Sequence, residues 1–265
     1  MPDSGYGGSW KALFLILFLV IIVLAWLGYH ASGWQKEVLV RDIVIEDARH
    51  VSVSELSARL KRYSGMKVQK LDIDEVRASV MAIPYIRDAT VSKELNGILR
   101  VRVIERVPLA LMVDMQLPMV IDQEGVLVPD RKGFSDQAGS LLHVSGISRL
   151  DHAERGLRKL AARDYALIRE FTAALQKSEY AALLIREFHF QNNNGSSVFA
   201  RGSAIRFIVG NDGNFKEKLK KFEIFWQKVI AKTGFERYET VDLRFKDRVF
   251  AKEVTLPETV KKDSL

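Results

Sequence analysis

The stretch DATVSKELNGILRVRVIERV, residues 88–107, reads as two strands folded back on themselves at Asn96-Gly97. Asn-Gly accepts positive φ at both positions and is a strong short hairpin signal. Successive side chains of a strand face opposite sides, so the inner row of the second arm is Leu99, Val101 and Val103, with Arg100 and Arg102 outward. Working back from the hairpin, Asp72-Ile73-Asp74-Glu75 opens a helix carrying Val76, Val80 and Ile83 at helical spacing, closed by Pro84. Before it, Ser52-Val53-Ser54-Glu55 has the S-x-x-E form of a capping box, in which hydroxyl and carboxylate satisfy free helix amides. Leu56, Leu60 and Tyr63 form the inner face of the helix that follows, up to a Ser64-Gly65 stop. VLVRDIVIE, residues 38–46, is mostly β-branched and reads as a strand. The order over residues 36–107 is therefore β-α-α-β-β.

Upstream, residues 12–27 read ALFLILFLVIIVLAWL, without one polar side chain. With Gly28 and Tyr29 the run approaches the roughly 20 residues that cross a hydrocarbon core as helix. Trp10 stands at one end and Trp26, Tyr29 and Trp34 at the other, where amphipathic rings favour the headgroup level. A cleaved signal peptide is the alternative, but its apolar core is about 7–15 residues and Tyr29 and His30 suit cleavage poorly. Residues 12–29 are thus an uncleaved single span behind a short tail, residues 1–11. Only Asp3 and Lys11 precede the span, so the whole net charge of +7 lies after it. Lys36 and Arg41 follow closely, and this count does not favour a cytoplasmic N-terminus. Basic residues alternate with acidic ones and carry no nucleic-acid motif, so no nucleic-acid partner is expected.

Downstream, residues 108–256 form a mixed β-rich module with two amphipathic helices. Asp122 to Gly125 is a turn between short strands, and residues 131–140 a polar loop. Residues 150–175 place Leu157, Leu160, Ala161, Tyr165, Ile168, Phe171 and Leu175 at spacings of three and four, which predicts one helix. Residues 184–191, 197–200 and 205–209 read as strands. Asn214-Phe215-Lys216-Glu217 has a capping-box form, and Leu219, Phe222, Trp226, Val229 and Ile230 stripe the helix after it. Its lysines, at 216, 218, 220, 221 and 228, form a solvated face or a contact for lipid headgroups. The last strand, TVDLRFKDRVFA over residues 240–251, places Val241, Leu243, Phe245 and Val249 on one face and Asp242, Arg244, Lys246 and Arg248 on the other. It is either an ordinary core strand or a sheet edge open to strand addition. Residues 257–265 have little to bury and are expected to be disordered.

Catalytic chemistry finds little support. There is no cysteine, which removes thiol nucleophiles and cysteine-ligated metals. Histidines 30, 50, 143, 152 and 189 are dispersed without metal-ligand spacing, and no G-x-S-x-G occurs. The acidic Asp72, Asp74 and Glu75 fall in a helix's first turn, where the dipole favours negative charge, and read as capping rather than a metal cluster. No enzyme, metal or cofactor is expected.

The first module resembles a POTRA unit of bacterial envelope proteins, most typically in Ile83-Pro84-Tyr85-Ile86-Arg87-Asp88-Ala89 and Val101-Arg102-Val103-Ile104-Glu105-Arg106. One span, one such unit and one mixed β module together resemble the FtsQ/DivIB cell-division family. Three strings carry the resemblance: Glu105-Arg106-Val107-Pro108-Leu109-Ala110, Val120-Ile121-Asp122-x-x-Gly125 and Val241-Asp242-Leu243-Arg244-Phe245. Two features depart from the family: Thr240 stands where an aromatic is usual, with Tyr238 nearby, and the N-terminal tail is short and poor in basic residues. The resemblance implies an α+β fold and a scaffold of the divisome in the cytoplasmic (inner) membrane at the septum. Its N-terminus would be cytoplasmic and its C-terminal domain periplasmic. It implies binding of the coiled-coil proteins FtsB and FtsL, and through them regulation of the septal peptidoglycan synthase. FtsB would add a strand beside the terminal strand, at positions matching Phe245, Lys246, Asp247, Arg248 and Val249, with Arg186 a further matching position. The competing expectation is a POTRA-bearing envelope protein that chaperones other polypeptides.

Overall fold

The computed structural model describes residues 7–33, 38–131, 134–138 and 140–254. Trp34 and the segment 257–265 lie outside them. Helix α1, Gly7–Gly33, is long and apolar enough at Ala12–Tyr29 to cross a membrane. Its 27 residues span about 40 Å, more than a hydrocarbon core of about 30 Å.

The chain divides into two compact units, one of Met1–Ala48, Ser52–Val80 and Ala89–Val103, the other of Arg49–Val51, Met81–Asp88 and Ile104–Leu265. In the first, β1 (Asp42–Glu46), α2 (Val53–Leu60), α3 (Ile73–Met81), β2 (Ile86–Lys93) and β3 (Ile98–Glu105) follow the expected order. The strands form a sheet of order β1-β3-β2, with β1 parallel to β3. Leu56, Leu60, Tyr63, Val76 and Val80 are buried beneath it with Leu99, Val101 and Val103, as the alternation requires. Outside, Glu46 pairs with both Arg100 and Arg102, and Arg100 also with Glu94. These groups are exposed enough that their pairing adds little stability.

Two local readings are corrected. Ser52 caps nothing with its side chain, because its hydroxyl bonds Ser54 Oγ at 2.6 Å, whereas Asp72 Oδ1 accepts from the Asp74 amide at 2.9 Å and caps α3. The hairpin uses positive φ at Gly97 alone, 88°, within a wider loop closed by Gly97 N to Glu94 O at 3.1 Å. Gly97 is required there, since a Cβ would collide with the Leu39 carbonyl.

The second unit is built on eleven strands in the order β14-β13-β12-β11-β10-β7-β4-β5-β6-β9-β8. In chain order they are β4 (Pro108–Met112), β5 (Met119–Asp122), β6 (Val126–Pro129), β7 (Leu142–Ser145), β8 (Leu150–His152) and β9 (Arg158–Leu160). Helices α4 (Ala162–Gln176) and α5 (Ala181–Leu184) precede β10 (Ile185–His189), β11 (Ser197–Ala200) and β12 (Arg206–Ile208). Helix α6 (Phe215–Phe225) continues through a π turn at Trp226–Ile230 into α7 (Ala231–Thr233), before β13 (Tyr238–Asp242) and β14 (Phe250–Glu253). Phe171 of α4 and Phe215 and Phe222 of α6 are fully buried against Phe188 and Phe207 of the sheet. Their rings meet edge-on or tilted at 4.8 to 5.2 Å, the arrangement that ring quadrupoles favour.

Three further expectations fail here. Residues 150–175 are not one helix, because Arg155 and Gly156, at φ 59° and 72°, turn the first part into the β8–β9 hairpin. The apolar spacing there serves a strand and then a helix. Asn214 bonds Glu217 side chain to side chain at 2.7 Å and sits at φ 53°, so no capping box forms. The lysines of α6 are not uniformly solvated. Lys218 is 2% exposed, bonded to the Gly213 carbonyl at 2.7 Å and paired with Asp212.

Candidate functional site

The signature strings meet as internal clamps. Arg106 and Asp122 form an ion pair at 2.5 Å, with side chains 4% and 2% exposed. Asp122 Oδ1 also accepts from the Glu124 and Val126 amides, both at 2.8 Å, and Arg106 Nε donates to the Pro84 carbonyl at 3.0 Å. Glu105 accepts from the amides of Arg49, His50 and Val51 at 2.9 to 3.0 Å. Burial alone would raise its pKa, but those amides and the His50 ring hold it below the usual carboxylate range.

At the far end of the sheet, Val241 and Leu243 are fully buried, and Asp242 holds Arg244 through its amide at 3.0 Å and its guanidinium at 2.5 Å. Arg244 Nη1 then donates to Asn194 O at 2.8 Å, tying the strand end to the loop before β11. Burial works against the Asp242 carboxylate, yet Arg244 keeps its pKa below normal. Tyr238 packs on Phe225 at 5.5 Å, edge-on.

Residues 240–251 do not form one long strand. After Leu243 the chain leaves the sheet, turns at Asp247 (φ 56°), and returns as β14 antiparallel to β13. The buried hydrophobic row ends at Leu243, and a continuation in the same direction would have nothing to pair with. Phe245, Lys246, Asp247, Arg248 and Val249 therefore lie in the turn, and the sheet's edge is β14.

All four residues of β14 are exposed, and among the described residues the strand ends the sheet. Val254 N donates inward to Arg237 O at 3.0 Å. By antiparallel alternation the N–H and C=O of Ala251 and Glu253 then point to the open side. Phe245 and Phe250, 48% and 52% exposed, contact each other at 4.7 Å beside this edge. Lys221 of α6 donates to the Phe245 carbonyl at 2.7 Å and fixes the turn against the helix. Between them lies a groove of about 440 Å³, with Ile224, Phe225 and Val249 in its apolar part and charges of both signs around it, Lys220, Lys228 and Arg248 with Glu217 and Asp247.

Arg186 is not in this group. It opens β10, four strands from β14, or about 19 Å at normal strand spacing, and bonds His143 Nε2 at 3.1 Å. Ile224 and Phe250 were not singled out by sequence reasoning, and Lys221 entered only as one lysine of a solvated or lipid-facing helix side. Ile224 carried a signal, as an apolar residue lying off the buried stripe of its helix.

The fold defines a class: one apolar helix able to anchor the chain, a POTRA-type unit, and a mixed-sheet domain with an open terminal edge. Residues 38–106 match the POTRA domain, FtsQ-type, and residues 107–252 match FtsQ/DivIB, C-terminal related. The chain is similar to the cell division protein FtsQ of Rhodothermus marinus, 28% identical over 96% of this chain and 92% of the relative. It is also similar to FtsQ of Salinibacter ruber, 24% identical over 88% and 89%, and to the cell division protein DivIB of Clostridium tetani, 25% identical over 69% and 68%. The chain belongs to the FtsQ/DivIB family of cell-division proteins.

Proposed function

We propose that the chain is a bitopic scaffold of the divisome, with α1 in the cytoplasmic membrane, its N-terminus in the cytoplasm and its C-terminal unit in the periplasm at the septum. It docks FtsB- and FtsL-like coiled-coil partners and acts through them on septal peptidoglycan synthesis. The observation that carries this reading is the open edge of β14, beside two exposed phenylalanines and the groove of α6. An extended partner segment would take the outward groups of Ala251 and Glu253 through main-chain hydrogen bonds, with Phe245 and Phe250 supplying the apolar contact. Asp247, Arg248 and Val249 contribute as the wall of the groove, and Phe245 and Lys246 as the turn beside it, rather than as the paired strand, and Arg186 stands outside the surface.

The test is mass spectrometry of what copurifies with the detergent-extracted chain, wild type beside Phe245→Glu and Ala251→Pro. Small membrane-anchored coiled-coil proteins are expected with wild type and absent from both variants. If both folded variants retain them, the edge is not the docking surface. If wild type brings down no division protein, the scaffold reading itself fails.

A further inference from the structure

Arg186 has a different neighbourhood from the terminal edge. Its Nη2 donates to His143 Nε2 at 3.1 Å, and Arg201, just past β11, donates from Nη2 to Ser140 Oγ at 2.5 Å. Arginine has no acceptor, so the imidazole must present an unprotonated Nε2 to it. Burial first, then the charges of Arg186 and Arg201, push the His143 pKa down, while Glu187 alone pulls it up.

Neither arginine has a carboxylate partner among the described residues. Arg186 borders a cavity of about 240 Å³ to which Ser135, Ser140 and His143 contribute, and Arg201 reaches its rim through Ser140. Asp136 also lines it, with an interaction of its own. The donors arrive from three separate segments: the start of β10, the turn after β11 and the loop before β7. Such spread suits a group that accepts from several directions better than a planar carboxylate, which a single guanidinium fork already satisfies.

We propose that this cavity binds a tetrahedral oxyanion of the phosphate class between Arg186 and Arg201, with the Ser135 and Ser140 hydroxyls as further donors. The site is independent of the partner surface at β14. Free phosphate and the phosphate of a lipid headgroup share this chemistry. On protonation His143 exchanges its bond with Arg186 for one to the anion, so binding strengthens as pH falls. Arg186, Arg201 and Glu187 are the charged groups that act on it, and Asp136 lines the same cavity.

The test is isothermal titration of the full chain, in detergent with uncharged headgroups, with inorganic phosphate and with sulfate at matched ionic strength. Sulfate stays a dianion throughout, so any pH dependence of its binding belongs to the protein. Wild type is expected to bind both. Arg186→Gln and Arg201→Gln each weaken binding about tenfold, and the double variant abolishes it, with thermal unfolding unchanged. His143→Gln keeps sulfate binding at about pH 8 and loses its strengthening toward about pH 6. No binding by wild type, or equal binding by the folded double variant, overturns the site. Repeating the titration in phosphatidylglycerol and phosphatidylcholine nanodiscs distinguishes the sources. Weaker phosphate binding in the anionic discs supports a headgroup ligand, and equal binding supports a soluble one.

Discussion

The Arg106–Asp122 clamp and the β13–β14 hairpin stand at different places in one sheet, and both contain residues by which the family is recognised. At the clamp, both side chains are almost fully buried and every oxygen of Asp122 has a donor. At the hairpin, the string runs through Arg244, which turns inward to Asp242 and Asn194, and ends on the half-exposed Phe245. Residues Phe245 to Glu253 carry the exposed phenylalanines and the open edge. The family signature therefore marks mainly the parts that hold the sheet, and the surface able to meet a partner begins at its last residue, Phe245, and continues beyond it. Buried, fully bonded groups tolerate little change, whereas a strand edge recognises through its backbone and leaves its side chains freer to vary.

The comparison is broken most directly at the clamp. Asp122→Ala strands the Arg106 charge in the interior and frees two turn amides, and is expected to cost about 3–5 kcal/mol, read as a shift in urea midpoint. A loss under about 1 kcal/mol would mean that the pair is solvated and the clamp is not a clamp. Next, Lys252→Pro and Ala251→Pro separate the two sides of one strand. Lys252 N–H faces β13, so proline there should cost about 1–3 kcal/mol, whereas Ala251→Pro should stay within about 0.5 kcal/mol while removing an outward donor. Equal costs would show that the alternation assigned to β14 is wrong.

A smaller effect is expected at Asp242. Its folded-state pKa is lowered, so its contribution is complete above the unfolded value of about 3.9 and is lost as pH falls through the folded one. Asp242→Asn should cost about 1–2 kcal/mol at pH 7, and its stability curve should converge with wild type below about pH 4. A gap that persists into acid would assign the cost to something other than the charge. The least effect is predicted for Phe245→Glu, within about 0.5 kcal/mol by thermal unfolding, since the ring is half exposed. A clear destabilisation would make Phe245 a core residue and spoil its use as a binding probe.

Sequence by itself determined the elements whose physics is local. The apolar run at residues 12–29, the inner row Leu99, Val101 and Val103, and the helix opened by Asp72 were legible because periodicity and burial agree there. Family membership was legible too, since its strings are short and their spacing is set by turns. Tertiary structure alone decided the rest. A spacing of three and four at residues 150–175 fits a helix equally well with or without the β8–β9 hairpin, until the neighbouring β6 offers a pairing partner. Lys218 looks solvated in any helical wheel and is buried only because Asp212 and the Gly213 carbonyl meet it across a turn. The terminal strand breaks after Leu243 because the sheet beneath it ends. Which residues form the edge, and which merely lead to it, depends on where the sheet stops, and periodicity along one strand carries no record of its neighbours.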